Sequence, residues 1–232
     1  MKFKNVDKGR LVAVFIGVII MGFANSILAR CDFGTDPCTT ANLGISKTIG
    51  WTFGNWQLCF NIVLLLFVLL FARSQFGWGT LANMILVGYS FDLSTWIEDK
   101  IIPEALVNEN GVFKSMGLRI GLMIPALIVF LIAAAIYMSV QLGTSPYDAI
   151  PFIICEKNKK IPFRPLRIAY DSMYAFIGFI FGATVSFVTI AMCLCLGPAV
   201  SWVSKNVITK LFGEEKTENN DKGVLVNEEA NS

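Results

Sequence analysis

Long runs without a charged residue are the feature that most restricts what this chain can fold into. Five such runs occur in its 232 residues, and a helix needs about 20 apolar residues to cross the hydrocarbon core of a bilayer. The last run, residues 172–204, would extend for roughly 50 Å as one helix, so we expect a break near residues 182–186. The sequence therefore predicts an all-α integral membrane protein with six transmembrane helices, at about residues 11–29, 56–72, 79–96, 119–140, 164–182 and 186–204.

Composition narrows the functional classes. Hydrophobic residues make up 55% of the chain and charged residues only 16%, which leaves little sequence for a separate soluble domain. The sequence contains no histidine, its net charge is only +2, and its six cysteines show no CxxC spacing. We therefore expect no enzyme activity, no cofactor or metal ion and no nucleic-acid partner. The expected partners are the lipid bilayer and an unknown small solute.

The distribution of lysine and arginine predicts how the helices are oriented. With both termini in the cytoplasm, 14 of the 19 Lys and Arg residues fall on the cytoplasmic side, as the positive-inside rule requires. This orientation makes residues 1–10 a cytoplasmic N-terminus and residues 98–118 an extracytoplasmic loop. Residues 205–232 are expected to form a disordered cytoplasmic tail, because the chain is polar and aperiodic from Gly213 onward.

An internal repeat is the sequence feature that bears most directly on function. When Gly34 is aligned with Gly143, Thr35-Asp36-Pro37 falls on Thr144-Ser145-Pro146, and Thr80 falls on Thr189. The repeats cover residues 11–97 and 119–204, with three predicted spans in each. An odd number of spans places the second repeat in the bilayer with inverted topology. Inverted repeats recur in secondary transporters, whose solute site lies between the repeats near mid-membrane.

The Gly-Thr-x-Pro motifs predict the start of a short helix in each repeat. Proline suits the first helical position, and Asp36 and Ser145 are favoured N-cap residues directly before it. The helices that follow, at about residues 37–49 and 146–156, are too short to span a bilayer. One interpretation makes them re-entrant half-helices whose first turns, with Thr35 and Thr144, line a polar site that favours an anionic or hydrogen-bond-accepting solute. The alternative is that they are interfacial amphipathic helices that only connect the spans.

Further candidates lie on the second span of each repeat. Gln57 and Asn61 are spaced i, i+4, and so are Arg167 and Asp171, so each pair projects from one helix face. An ionised carboxylate near a helix centre costs on the order of 3 kcal/mol to insert into a bilayer, so Asp171 should face the bundle beside Arg167. The proposed binding residues are therefore Thr35, Asp36, Thr144, Ser145, Asn61, Asp171 and Arg167. A structural ion pair near the cytoplasmic interface is the alternative for the last two.

At these residues the chain resembles the YczE/YyaS/YitT family of bacterial multipass membrane proteins. The resemblance covers about residues 10–204 and includes Phe53-Gly54-Asn55-Trp56, at the start of the second span, and Gly79-Thr80-Leu81-Ala82-Asn83. Members of the family typically carry a Gly-x-x-Pro-Trp-Asp string. Pro146-Tyr147-Asp148 matches this string with Tyr for Trp, whereas Pro37-Cys38-Thr39 departs from it. The resemblance implies a location in the bacterial plasma membrane but supplies no substrate and no functional residues.

A small-solute transporter or permease is the leading functional hypothesis, because inverted repeats, paired short helices and membrane-buried polar residues all favour it. One alternative is the substrate-binding membrane subunit of a multi-component ATP-driven importer, which would need partner subunits because this chain has no phosphate-binding glycine-rich loop. The others are a non-transport accessory or signalling protein and a passive channel. The sequence leaves open whether the chain forms a homo-oligomer.

Overall fold

The structure is a computed structural model, and it describes residues 8–71, 76–140, 142–158 and 161–203. The predicted tail at residues 205–232 and most of the predicted N-terminal segment lie outside the described residues. Eight α-helices account for most of the described part of the chain, and no β-strand occurs there apart from an isolated bridge between Val107 and Phe113. The helices are α1 (Lys8–Cys31), α2 (Pro37–Ile49), α3 (Phe53–Phe71), α4 (Trp78–Ile101), α5 (Met116–Ser139), α6 (Pro146–Lys157), α7 (Phe163–Ile180) and α8 (Phe187–Val203).

Three of these helices have the length and apolar composition needed to cross a membrane. They are α1, α3 and α5, and α8 contains a shorter apolar stretch at Phe187–Pro198. Helix α4 has 24 residues but carries Glu98, Asp99 and Lys100 in its last turn. The all-helical architecture and these apolar helices confirm the prediction of an all-α membrane protein at this coarser level.

The helix order is the same in the two halves of the chain, and each helix of the first half has a counterpart in the second. When Gly34 is aligned with Gly143, the starts of counterpart helices coincide or differ by a single position. The four pairs of helix starts are Lys8 with Met116, Pro37 with Pro146, Phe53 with Phe163, and Trp78 with Phe187.

The short helices begin where the Gly-Thr-x-Pro motifs predict. Asp36 accepts a hydrogen bond from the Thr39 N–H at 3.0 Å, and Ser145 Oγ accepts one from the Asp148 N–H at 3.1 Å. Asp36 and Ser145 are therefore the N-caps of α2 and α6.

The two halves interlock. Helix α1 packs along α5, α2 packs against α7, and α3 packs against α6. Each Gly-Thr turn also contacts the fourth helix of the other half. Thr80 Oγ1 in α4 donates a 2.8 Å hydrogen bond to the Thr144 carbonyl, while Gly34 lies against Thr189 in α8. A Cβ atom at Gly34 would come within 2.2 Å of Thr189 Oγ1, and its φ of +92° is itself unfavourable for L-residues, so glycine is required at this turn.

A cluster of charges ties α1 to α4 at the predicted extracytoplasmic end. Arg30, placed between spans by the sequence, lies in the last turn of α1 and is 7% exposed. Its guanidinium forms ion pairs with Glu98 and Asp99 and donates to the carbonyls of Thr95 at 3.1 Å and Gly111 at 3.0 Å. This cluster therefore joins α1, α4 and the segment that leads into α5.

Candidate functional site

A cavity of about 70 Å³ lies among the helices, and all eight helices contribute residues to its wall. A void of this size has room for several water molecules or for a small organic molecule. Its wall has a polar part and an apolar part. The polar part includes Asn25, Asp36, Gln57, Tyr147, Asp148 and Arg167, and the apolar part includes Met21, Val87, Phe130, Ala134, Leu196 and Val200.

The lining residues come in pairs related by the internal repeat. Fourteen of the 19 lining residues form seven such pairs. Six pairs follow the alignment of Gly34 with Gly143, and the seventh, Gln57 with Arg167, is displaced by one position, as are the starts of α3 and α7. The six are Met21 with Phe130, Asn25 with Ala134, Asp36 with Ser145, Cys38 with Tyr147, Thr39 with Asp148, and Val87 with Leu196. The cavity therefore lies where the same positions of the two halves face each other.

The first turn of α2 brings a carboxylate to the cavity. Asp36 is 9% exposed, and its two oxygens are held by different donors. Thr39 N–H donates to Oδ2 at 3.0 Å, and the Asn25 Nδ2 group of α1 donates to Oδ1 at 3.1 Å. Asn25 Nδ2 also donates to Thr39 Oγ1 at 3.1 Å. These hydrogen bonds with Asp36 come from neutral donors, so they orient the carboxylate without neutralising it.

The first turn of α6 brings a second carboxylate, which is paired with an arginine. Ser145 Oγ donates to Asp148 Oδ2 at 2.8 Å, and Arg167 Nη1 lies 2.8 Å from Asp148 Oδ1. Arg167 Nε also donates to Asp171 Oδ2 at 3.0 Å, so one guanidinium lies between two carboxylates. Tyr147 holds the other Asp171 oxygen through a 2.5 Å hydrogen bond, and its ring lies 5.2 Å from the guanidinium carbon.

The residues proposed from the sequence fall into two groups. Asp36, Ser145 and Arg167 line the cavity. Asp171 is 1% exposed and forms an ion pair with Arg167, as the i, i+4 spacing of the two residues predicts. The other three are not among the lining residues: Thr35, Thr144 and Asn61. The Thr35 hydroxyl pairs with Thr40 Oγ1 at 2.9 Å, the Thr144 carbonyl accepts from Thr80, and Asn61 is buried within α3.

Sequence reasoning missed several residues of the wall. In α1, Asn25 could have been recognised as a candidate from the sequence, because it is a strongly polar residue within a charge-free run. Gln57 was a candidate on the second span but was left out of the proposed binding residues, although it is the repeat counterpart of Arg167. Asp148 was visible as the third residue after the N-cap Ser145. In both short helices the N-cap residue and the residue three positions later line the cavity, so the residue types at these two positions determine the polar groups there.

Two helix N-termini alone would give the cavity a partial positive charge, but the side chains around it change this balance. Each helix start is already capped by its own side chain, so the first amides are partly satisfied. Asp36 and Asp148 line the cavity and Asp171 lies directly behind it, whereas Arg167 is the only cationic residue among the described lining residues. Acidic groups therefore outnumber basic groups around the cavity, whereas the helix starts alone favour an anionic or hydrogen-bond-accepting solute.

The fold and the cavity define an all-helical membrane protein with a polar site buried in its helix bundle. The chain belongs to the family of unknown function DUF6198, which matches residues 8–205. It is 23% identical over 197 residues to the uncharacterized protein YyaS of Bacillus subtilis (strain 168), an alignment that covers 85% of this chain and 92% of YyaS. These matches confirm the family resemblance seen in the sequence.

Two further relatives extend the comparison. The uncharacterized membrane protein YczE of Bacillus subtilis (strain 168) is 28% identical over 147 residues, which cover 62% of each chain. An uncharacterized protein of Haemophilus influenzae is 21% identical over 192 residues, covering 83% of this chain and 81% of the relative. No solved structure matches the chain. The similarity of this chain to YczE is consistent with a membrane location.

Proposed function

We propose that the protein is a small-solute transporter or permease of the bacterial plasma membrane, with its solute site in the cavity between two inverted three-span repeats. The observation that carries this proposal is the composition of the cavity wall, which contains seven pairs of residues from equivalent positions of the two repeats. A site built from equivalent positions of two repeats is the arrangement used by many secondary transporters. The equal order of helices in the two halves supports the duplication on which the proposal depends.

The short helices support the re-entrant interpretation. Helix α2 has 13 residues and α6 has 12, so each is only about 18–20 Å long. Both begin at the cavity, with Asp36 and Ser145 in its wall, and both pack against helices of the other half. Interfacial connectors on opposite membrane surfaces would hold these starts roughly 30 Å apart. The shared cavity therefore favours half-helices that enter the bundle from opposite sides.

The proposal predicts that the full-length protein in detergent is stabilised by at least one class of small solute in a thermal-shift screen. Ala134 lies in the cavity wall and is 4% exposed, so Ala134→Leu should fill the void and abolish that stabilisation. Ile128→Phe on the same helix is the matched control, because Ile128 is 52% exposed on the outer surface. Stabilisation that persists equally in both variants would place the binding site elsewhere. Co-purification of an ATPase would instead favour the importer-subunit alternative.

The inverted topology makes a separate prediction for side-specific labelling. On a cysteine-free background, Asn108→Cys should react with a membrane-impermeant thiol reagent from outside the cell, and Asn158→Cys only from the cytoplasmic side. Both positions are exposed, Asn108 between α4 and α5 and Asn158 directly after α6. Reaction of both cysteines from the same side would contradict the inverted repeats.

A further inference from the structure

We propose that the solute taken by this cavity is a small organic cation, a protonated amine of a few heavy atoms, whose charged end binds between Asp36 and Asp148. This inference rests on the proposed function and specifies its substrate class. Three observations carry it: an excess of acidic groups, two buried amide oxygens that lack a donor, and apolar residues in the same cavity wall.

The charges at the cavity are unbalanced in favour of acids. The Arg167 guanidinium already forms ion pairs with two carboxylates, with N···O distances of 2.8 Å to Asp148 and 3.0 Å to Asp171. Asp36 receives hydrogen bonds only from neutral donors, the Asn25 amide and the Thr39 backbone, and it lines the same cavity as Asp148. An ionised group buried without an opposite charge is costly in a bilayer. A cation placed between these two carboxylates would offset that cost.

Two amide oxygens in the cavity wall lack a hydrogen-bond donor. Asn25 is 1% exposed and Gln57 is 6% exposed, and Asn25 Oδ1 and Gln57 Oε1 are both buried without a partner. The orientation of the Asn25 amide is fixed, because its nitrogen donates to Asp36 and Thr39, so its oxygen can only accept. Unpaired buried acceptors are costly, and a ligand rich in N–H groups would satisfy them. An ammonium group has up to three such donors.

The apolar part of the wall favours an organic cation over a bare metal ion. Met21, Val87, Phe130 and Leu196 line the cavity together with the acids, and they offer no oxygen ligand to an alkali ion. The described residues also hold no group of acidic or cysteine side chains arranged for a metal. A short alkyl chain would fill this part of the void and displace water from apolar surface. A carboxylate on the solute is disfavoured because Arg167 is already engaged by two aspartates.

Three probes of similar shape and different charge test the substrate class on the purified full-length protein. They are propylammonium, propionamide and propionate, with sodium chloride at equal ionic strength as the reference. We expect propylammonium alone to raise the Tm and to bind saturably. Asp36→Asn should weaken its binding at least tenfold, whereas Glu104→Gln, which removes an exposed acid of the loop after α4, should leave the affinity unchanged.

The outcomes separate this inference from the proposed function. Equal or tighter binding of propionate or propionamide would overturn the cation assignment and leave the cavity as a solute site. If sodium chloride raised the Tm as much as propylammonium does, the assignment of an organic ligand would be overturned. If no solute of any charge bound in the wider screen, the proposed function itself would fail. The comparison of the three probes on the unaltered protein does not depend on whether Asp36→Asn folds.

Discussion

Replacing Arg167 with glutamine should destabilise the protein by about 3–5 kcal/mol, the usual cost of removing one partner from a buried ion pair. The side chain of Arg167 is 16% exposed, and the change leaves both Asp148 and Asp171 without their shared cation. The loss should appear as a large fall in Tm for the detergent-purified protein, measured alongside the unaltered chain. Glutamine keeps most of the length of the side chain, so lost packing contributes little.

Restoring the charge balance should recover much of this loss. Arg167→Gln with Asp171→Asn should be more stable than Arg167→Gln alone, and adding Asp148→Asn should improve stability further because it removes the second unpaired carboxylate. A similar Tm for the single, double and triple variants would show that these groups are solvated and that the cluster is an interfacial ion pair. The series therefore distinguishes the two interpretations of the Arg167–Asp171 pair.

Replacing Arg30 with glutamine should have a comparable effect, again on the order of 3–5 kcal/mol. Arg30 is 7% exposed and joins α1 to Glu98 and Asp99 of α4 and to the Gly111 carbonyl. Its loss would leave Glu98, whose side chain is 13% exposed, without its cation.

Lys114→Gln is the matched control for Arg30→Gln. It removes the same charge from the same predicted side of the membrane, at an exposed position in the segment before α5. Its Tm should stay within a degree or two of that of the unaltered protein. If Arg30→Gln and Lys114→Gln had the same Tm, the Arg30 cluster would not stabilise the junction of α1 and α4.

The helices were predictable because apolar runs and proline signals are local. The eight helices begin and end close to the stretches expected from the sequence, and Gly182, with a φ of +77°, lies at the expected break between α7 and α8. The Arg167–Asp171 pair was predictable for the same reason, since i, i+4 spacing on one helix fixes the distance between the side chains.

The composition of the cavity was not predictable, because it depends on contacts between distant parts of the chain. Asn25 reaches Asp36 only because α1 packs beside the first turn of α2, and Arg30 meets Glu98 from a distant part of the sequence. The pairing of Arg167 with Asp148 requires the relative positions of α6 and α7. A single sequence reveals which polar residues lie in apolar runs, but it does not reveal which of them share one cavity.

If the protein is the proposed transporter, a solute can reach the cavity from both sides of the membrane, and Cys38 provides a native probe of this access. Cys38 lies in the cavity wall at the first turn of α2. A variant that retains only this cysteine, with Cys31, Cys59, Cys155, Cys193 and Cys195 replaced by alanine, is exposed to a membrane-impermeant trimethylammonium thiol reagent in right-side-out and in inverted vesicles. The same variant with Cys38→Ala gives the background.

A transporter that opens its site alternately to each side should show reaction of Cys38 in both vesicle orientations. The solute identified by thermal shift should slow the reaction in both, because it occupies the same cavity. If Cys38 reacts in neither orientation while the unfolded protein reacts fully, the cavity is sealed and the transport account is wrong.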